Sequence, residues 1–358
     1  MKAKGVCIPV KVTINDIAKA ANVAKSTVSK VLNDSPSIPL ATKERIRAIM
    51  RDMNYIPSSM ATGLAKRKCN NVAVMIDLSR RNDFLNQFFY NIIGGIESVV
   101  GSKGYDLTIC NVPQEDGRGF LHRYALSQKA DGLIIDTSIL EKTAASDLIE
   151  AKSPFVVLGA WGEERKFPCV DIDNRLGAVK ITEHLLAEGY RRIAFIGGRK
   201  KEYLFSQRFV GYSEALRRRG CGVNPLWSFP EGSTEASGYA AVEKMLRLPI
   251  VPDAILCMNN YVAYGALRCL RDRGISVPGE IGMVTFDNEP LAPYTSPTLT
   301  SLHTDTFGLG AKAAKLLMEL IQDEDSAPEE EAKSRQTWIE PHLIVRESSV
   351  KPEARYDS

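Results

Sequence analysis

The chain is 358 residues long, 44% apolar and 25% charged, with 46 Lys+Arg against 43 Asp+Glu for a formal net charge of +3. That length makes more than one domain the expectation, and no apolar run approaches the roughly 18 residues of a membrane helix, which excludes a membrane partner. Seven cysteines without a C-x-x-C pair, four scattered histidines and no G-x-S-x-G or H-E-x-x-H run offer no disulfide framework, metal site, cofactor or enzyme centre.

The charge is unevenly placed. Residues 1–70 hold 13 Lys+Arg and 4 Asp+Glu, a net of +9, which leaves −6 for the other 288 residues. A small basic module on an acidic body is the electrostatic footprint of a nucleic-acid-binding head. Thr13 and Asp16 have the spacing of a capping box, and Ile14, Ile17, Ala18 and Ala21 then repeat at helical period. After a tight turn, a second helix keeps Val28, Val31 and Leu32 inward and presents Lys25, Ser26, Ser29 and Lys30. Small polar side chains let a helix enter a major groove, and the cations meet phosphates or guanine edges. The alternative is a helical hairpin with a solvated face. Ala24 precedes this helix where a capping side chain would serve, a loss of about 1 kcal/mol. A third helix is expected over 42–53, with Pro39 suited to its first turn. Residues 57–70, PSSMATGLAKRKCN, read as a hinge: Pro57 stops the preceding helix, and Ser58 or Ser59 can cap a short one. Thr62 and Gly63 make such a helix marginal in isolation.

The body, from 71 on, alternates β-rich runs with helix-period segments. Strands are expected at 71–78, 105–110, 132–136, 155–158, 192–196, 254–257 and 282–286, and helices at 88–103 and 119–129. This is an α/β pattern of parallel sheets flanked by helices, which binds ligands beyond the C-terminal ends of its strands. Residues 323–336 are acidic and read as a solvated loop, and no heptad leucines follow Arg346.

The head residues Thr13, Asp16, Ile17, Ala18, Ala21, Val23, Thr27, Val28, Ser29 and Asn33 fit the pattern T-[IL]-x-D-[VI]-A-x-x-A-x-V-S-x-x-T-V-S-x-x-[LI]-N. TKERIRAIMRDM, Asn54-Tyr55-Ile56-Pro57 and SSMATGLA follow, and KADGLII, VDIDNRLGA, EGYRRIAFIGG, SQRFVGYSEAL, SGYAAVEKML and VTFDNE recur in order in the body. On these blocks the chain resembles the LacI/GalR family of bacterial transcription regulators over nearly its whole length. The resemblance implies a homodimer on double-stranded operator DNA, contacted through Thr13, Asn15, Lys25, Ser26, Thr27, Ser29, Lys30, Asn33, Thr42 and Tyr55. In the hinge it implies Ser58, Ala61 and Leu64, with Leu64 as an apolar wedge in the minor groove. Leu64 packing against the body is the competing reading; the basic run Lys66-Arg67-Lys68 favours the wedge.

The resemblance also implies an α/β architecture in three parts. A small all-α helix-turn-helix head (1–56) and the hinge (57–70) precede a two-subdomain type I periplasmic-binding-protein-like body (71–346) for effector binding and dimerisation. One subdomain takes 71–171 and 303–323; the other takes 172–302 and 338–346, including a strand Trp338–Val345. Three crossovers join them around a cleft, and residues 347–358 are expected to be a disordered tail.

A small sugar-like effector is implied in that cleft. Asp287 matches the family's effector-binding aspartate, although a carboxylate there could equally cap a helix. Arg208 offers a planar fork for a carboxylate, phosphate or vicinal hydroxyls. Asn259 matches the first residue of a family N-D pair, with Asn260 in place of the aspartate. Phe88 and Phe89 would supply an apolar wall, and Ser233 stands where relatives carry a stacking ring. Trp161 could substitute for that ring, and Thr137, with Ser138, would offer hydroxyls. The expected function is a ligand-responsive, sequence-specific repressor of a carbohydrate-utilisation operon. With only residues 6–10 of largely apolar character near the N-terminus, a cytoplasmic location is expected. The alternative is a cytosolic sugar-binding sensor without DNA regulation.

Overall fold

The computed structural model describes residues 12–55, 69–77, 87–112, 119–120, 124, 129–140, 148, 152–159, 167–322 and 335–351. The chain forms two compact units, residues 1–71 with 124–131 and residues 72–123 with 132–358. The hinge residues Ser58, Ala61 and Leu64, most of the expected helix over 119–129, and Trp161 lie outside the described residues.

The head is built from α1 (Ile14–Ala20), α2 (Lys25–Leu32) and α3 (Leu40–Asp52). Ile17, Ala18 and Ala21 meet Val28, Val31, Ile46 and Met50 in one buried cluster. The expected capping box forms: the Thr13 amide donates to Asp16 Oδ2 at 2.9 Å and the Thr13 hydroxyl to the same oxygen at 2.6 Å. Helix α3 starts earlier than expected, and Pro39 is its N-cap rather than part of its first turn.

The body contains two six-stranded sheets. The first runs β11-β5-β4-β3-β1-β2, with β1 (Asn71–Ile76), β2 (Asp106–Asn111), β3 (Gly132–Asp136), β4 (Phe155–Leu158), β5 (Cys169–Ile172) and β11 (Gln336–Ile339). The second runs β12-β10-β9-β8-β6-β7, with β6 (Ile193–Ile196), β7 (Ser228–Phe229), β8 (Ala254–Cys257), β9 (Gly282–Phe286), β10 (Thr300–His303) and β12 (His342–Ile344). Strands such as β1, β3, β4, β6, β8 and β9 are nearly continuous apolar runs because both faces of a parallel sheet are covered.

Helices α4 (Gln87–Val100) and α10 (Thr306–Gln322) serve the first sheet, and the single turn α5 (Thr137–Leu140) follows β3. Helices α6 (Asn174–Ala187), α7 (Tyr203–Arg218), α8 (Glu235–Met245) and α9 (Asn260–Asp272) serve the second. Helices α4 and α10 cross backbone to backbone. A Cβ on Gly95 would collide with the Phe307 carbonyl, and one on Gly310 with the Ile92 carbonyl.

The chain crosses between subdomains three times, from β5 to α6, from β10 to α10 and from β11 to β12. The last crossing corrects an expectation. The single strand over 338–345 is two strands: β11 pairs in parallel with β5, and β12 pairs antiparallel with β10. Between them lies Glu340-Pro341, and proline has no N–H to continue a ladder. The disordered tail is also corrected at its start. Glu347–Ser349 is a 3-10 turn whose Ser348 and Ser349 are fully buried, because each hydroxyl has a hydrogen-bond partner in the second sheet. Among the described residues no helix is long and apolar enough to cross a membrane, no metal-binding cluster occurs, and the cysteines are free thiols.

Candidate functional site

Two surfaces carry chemistry, one in each unit. In the head, α2 begins at Ala24 without a side-chain cap. Lys25, Ser26 and Lys30 are exposed along it, and Thr27 and Ser29 are half-buried on its flanks. Thr13 and Asn15 are exposed at the start of α1. Thr42 is half-buried in the first turn of α3. Asn33 and Tyr55 are half-buried at the edge of the head core. Asn33 is the C-cap of α2, and its Oδ1 is buried without a hydrogen-bond partner. Tyr55 packs on the head core, and burial pushes its phenol above the ordinary value. Asp34 fixes the turn between α2 and α3, accepting from Lys43 Nζ at 2.9 Å and Arg47 Nη2 at 2.8 Å. The Lys43 bond is the chief reason its carboxyl stays below the usual range.

In the body, a pocket opens where several chain ends meet. Phe88 contributes from the start of α4, and Asn260 from the first turn of α9. Asp287, Asn288 and Glu289 follow β9, while His303, Thr304 and Thr306 come from the crossing between β10 and α10. The space, counted with its open mouth, is about 360 Å³. Asn91 Nδ2, one turn along α4, donates to Glu289 Oε2 at 3.1 Å and so links the two subdomains beside the pocket.

Arg208 lies beneath this surface, 5% exposed. Its Nε donates to Asn174 Oδ1 at 2.9 Å, its Nη1 donates to the Met258 carbonyl, and its guanidinium sits 3.8 Å from the centre of the Phe286 ring. Burial pulls its pKa down to about 10, against the opposing charges of Asp287 and Asp171. Asp287 has a left-handed backbone (φ 67), which aspartate tolerates better than most residues. Burial pushes its carboxyl above the ordinary value; the Arg208 charge and a main-chain hydrogen bond from Asn260 work against that rise.

The structure thus brings Phe88 and Asp287 to the pocket and places Arg208 as the buried charge behind Asp287. Asn259 has a structural task. Its Oδ1 accepts from the Val262 amide at 2.8 Å as the N-cap of α9, and its Nδ2 donates to the Ser233 carbonyl at 3.2 Å. Ser233 is held through that bond rather than lining the pocket, and Phe89 is half-buried on α4. The Thr137 hydroxyl donates to the Gly159 carbonyl at 3.0 Å, joining the ends of β3 and β4. Sequence reasoning missed Asn91, Asn288, Glu289, His303, Thr304 and Thr306. The polar residues at the end of the buried strand Thr300–His303 and just after it were the available signal for the last three.

Residues 13–58 match the lacI family of bacterial regulatory proteins, and residues 182–349 match a periplasmic binding protein-like domain. The chain is 31% identical over 314 residues to the HTH-type transcriptional repressor PurR of Aliivibrio salmonicida, covering 87% of this chain and 92% of that protein. It is 29% identical over 315 residues to catabolite control protein A of Priestia megaterium, covering 87% and 93%. Among solved structures, a transcriptional regulator CelR–cellobiose complex is similar with a TM-score of 0.69 at 28% identity, covering 94% of this chain and 99% of that one. The lac repressor dimer bound to operator and the anti-inducer ONPF shares the fold with a TM-score of 0.78 at 24% identity, covering 95% and 100%.

Proposed function

From the premise that this chain belongs to the LacI family of DNA-binding bacterial transcription regulators, we propose that it is a repressor whose operator affinity is set by a small sugar-like effector in the body's cleft. The supporting observation is the grouping of Asp287, Asn260 and Glu289 with the Phe88 ring at the junction of the two subdomains. Carboxylates and amides address hydroxyls, and a ring face suits the C–H surface of a sugar. The CelR relative is complexed with cellobiose, which fits a carbohydrate-utilisation operon as the regulated target. Two heads of a homodimer would read a pseudo-palindromic operator in successive major grooves. Lys25, Ser26, Ser29 and Lys30 would face the bases and phosphates, and Leu64 would wedge the central minor groove. Such a regulator works in the cytoplasm. By linkage, an effector that weakens operator binding must bind the DNA-bound form more weakly.

A thermal-shift screen of the full-length protein against sugars, sugar phosphates and nucleosides tests the cleft, since a binder raises the melting temperature by mass action. Gel-shift titrations on upstream genomic fragments across salt concentrations test the head. Log affinity is expected to fall steeply with log salt; absent or salt-insensitive binding would leave only a sugar sensor.

A further inference from the structure

The loop after β9 is tied to the segment after β12 by hydrogen bonds whose direction is forced. Arg346 is their source, because a guanidinium only donates. Its Nη1 donates to the Leu299 carbonyl at 2.6 Å and to Ser301 Oγ at 2.9 Å, and its Nη2 donates to Asn288 Oδ1 at 2.6 Å. Ser301, accepting from Arg346, gives its own proton to the same Asn288 Oδ1 at 3.0 Å. Both lone pairs of that oxygen are then filled, and the amide has one orientation. Asn288 Nδ2 makes no hydrogen bond among the described residues, and Asn288 lines the pocket. An N–H donor is what this side chain holds out to a ligand.

Arg346 is itself anchored. Its amide donates to Thr300 Oγ1 at 2.8 Å, Thr300 Oγ1 lies 2.6 Å from Ser349 Oγ, and Ser348 Oγ donates to the Met283 carbonyl at 2.6 Å. Around Asn288, the polar wall carries the carboxylates of Asp287 and Glu289, the hydroxyls of Thr304 and Thr306, the Asn260 amide and the His303 imidazole. No lysine or arginine lines it among the described residues; Arg208 is buried beneath, bonded to Asn174 and Met258. Carboxylates accept from hydroxyls and repel anions. A free amide donor beside them supplies the complementary half of a hydroxyl's needs.

Resting on the reading of this cleft as the effector site, we propose that Arg346 is a positioning residue for ligand selection. It locks Asn288 as a donor beside the Asp287 and Glu289 carboxylates, and the pocket so equipped takes a neutral polyhydroxylated ligand and rejects anionic sugars.

Isothermal titration of the full-length protein with glucose, ribose, cellobiose, glucose 6-phosphate and gluconate tests this. The wild type is expected to bind at least one neutral sugar, and the two anionic compounds at least tenfold more weakly. Asn288→Asp keeps the shape and pairs with Arg346, so its melting temperature holds or rises while its affinity for that sugar falls at least tenfold. Arg346→Lys, which keeps the charge without the fork, is expected to lose a similar factor, and the double variant little more. Should Arg346→Lys fail to fold, Asn288→Asp decides alone. Unchanged sugar affinity in a folded Asn288→Asp, or glucose 6-phosphate binding more tightly than glucose, overturns the proposal and leaves the cleft as effector site. A wild type that binds none of the five overturns both.

Discussion

Asn91 and Glu289 are 198 residues apart in the chain and 3.1 Å apart in space, the first on α4 of one subdomain and the second after β9 of the other. The bond bridges the subdomains at the rim of the pocket, and it is predicted to favour closure of the cleft on a ligand. Asn91→Ala removes the donor and leaves the Glu289 carboxylate to water. A hydrogen bond of this kind contributes about 0.5–1.5 kcal/mol, so ligand affinity is predicted to weaken about 2- to 13-fold. Calorimetry reads the affinity and small-angle scattering the opening; no change in either would remove the bond from the closing mechanism.

Asp287 is held in the fold at a cost. Its folded pKa is raised above 3.8, so the folded state takes up the proton before the unfolded chain does. Its unfavourable contribution is present at neutral pH and is relieved as pH falls through the folded value toward 3.8. Asp287→Asn keeps the shape and tolerates the left-handed backbone. The unliganded variant is predicted to melt higher at pH 7 and to lose its response to effector. A lower melting temperature would mean that the Arg208 charge outweighs burial at this site.

The capping defect at Ala24 can be repaired. Ala24→Ser supplies an acceptor for the orphan amides at the start of α2 and is predicted to stabilise the head by about 0.5–2 kcal/mol. Chemical denaturation followed by a probe in the head measures this; an unchanged midpoint would show that the first turn of α2 is already satisfied another way.

His184 gives a pH test. Its Nε2 lies 2.7 Å from Ser349 Oγ, and burial holds its pKa below 6.5, with the Glu188 charge opposing. The unfolded chain therefore binds this proton more readily, and stability falls as pH drops below about 6.5 until the folded value is passed. His184→Gln is predicted to lose less stability than the wild type between pH 7.5 and 5.5. Parallel melting curves for the two proteins would contradict that role.

The strands were readable because they are buried on both faces, which makes β1, β3, β4, β8 and β9 short apolar runs with polar punctuation. The head was readable because its capping box, apolar period and exposed cations are local signals. Long-range polar partners have no such signature. Arg346, Ser348 and Ser349 look solvated in the sequence, yet they have partners 45 to 65 positions away in the second sheet, and Ser349 a further one, His184, 165 positions away. The helix-cap alternative at Asp287 falls because no α-helix begins there among the described residues; the ligand contact belongs to the proposed function. The split of 338–345 depends on which neighbour each half finds, and only the assembled sheets determine that.

The β11-to-β12 crossing has a consequence for how the protein is made. These strands are the outer members of their respective sheets, yet they are synthesised after the other ten strands among the described residues. The head, complete by residue 55, can fold early on the ribosome. Both lobes of the body wait for the same short stretch near residue 340, so a chain stopped just before it has an unfinished edge on each sheet at once.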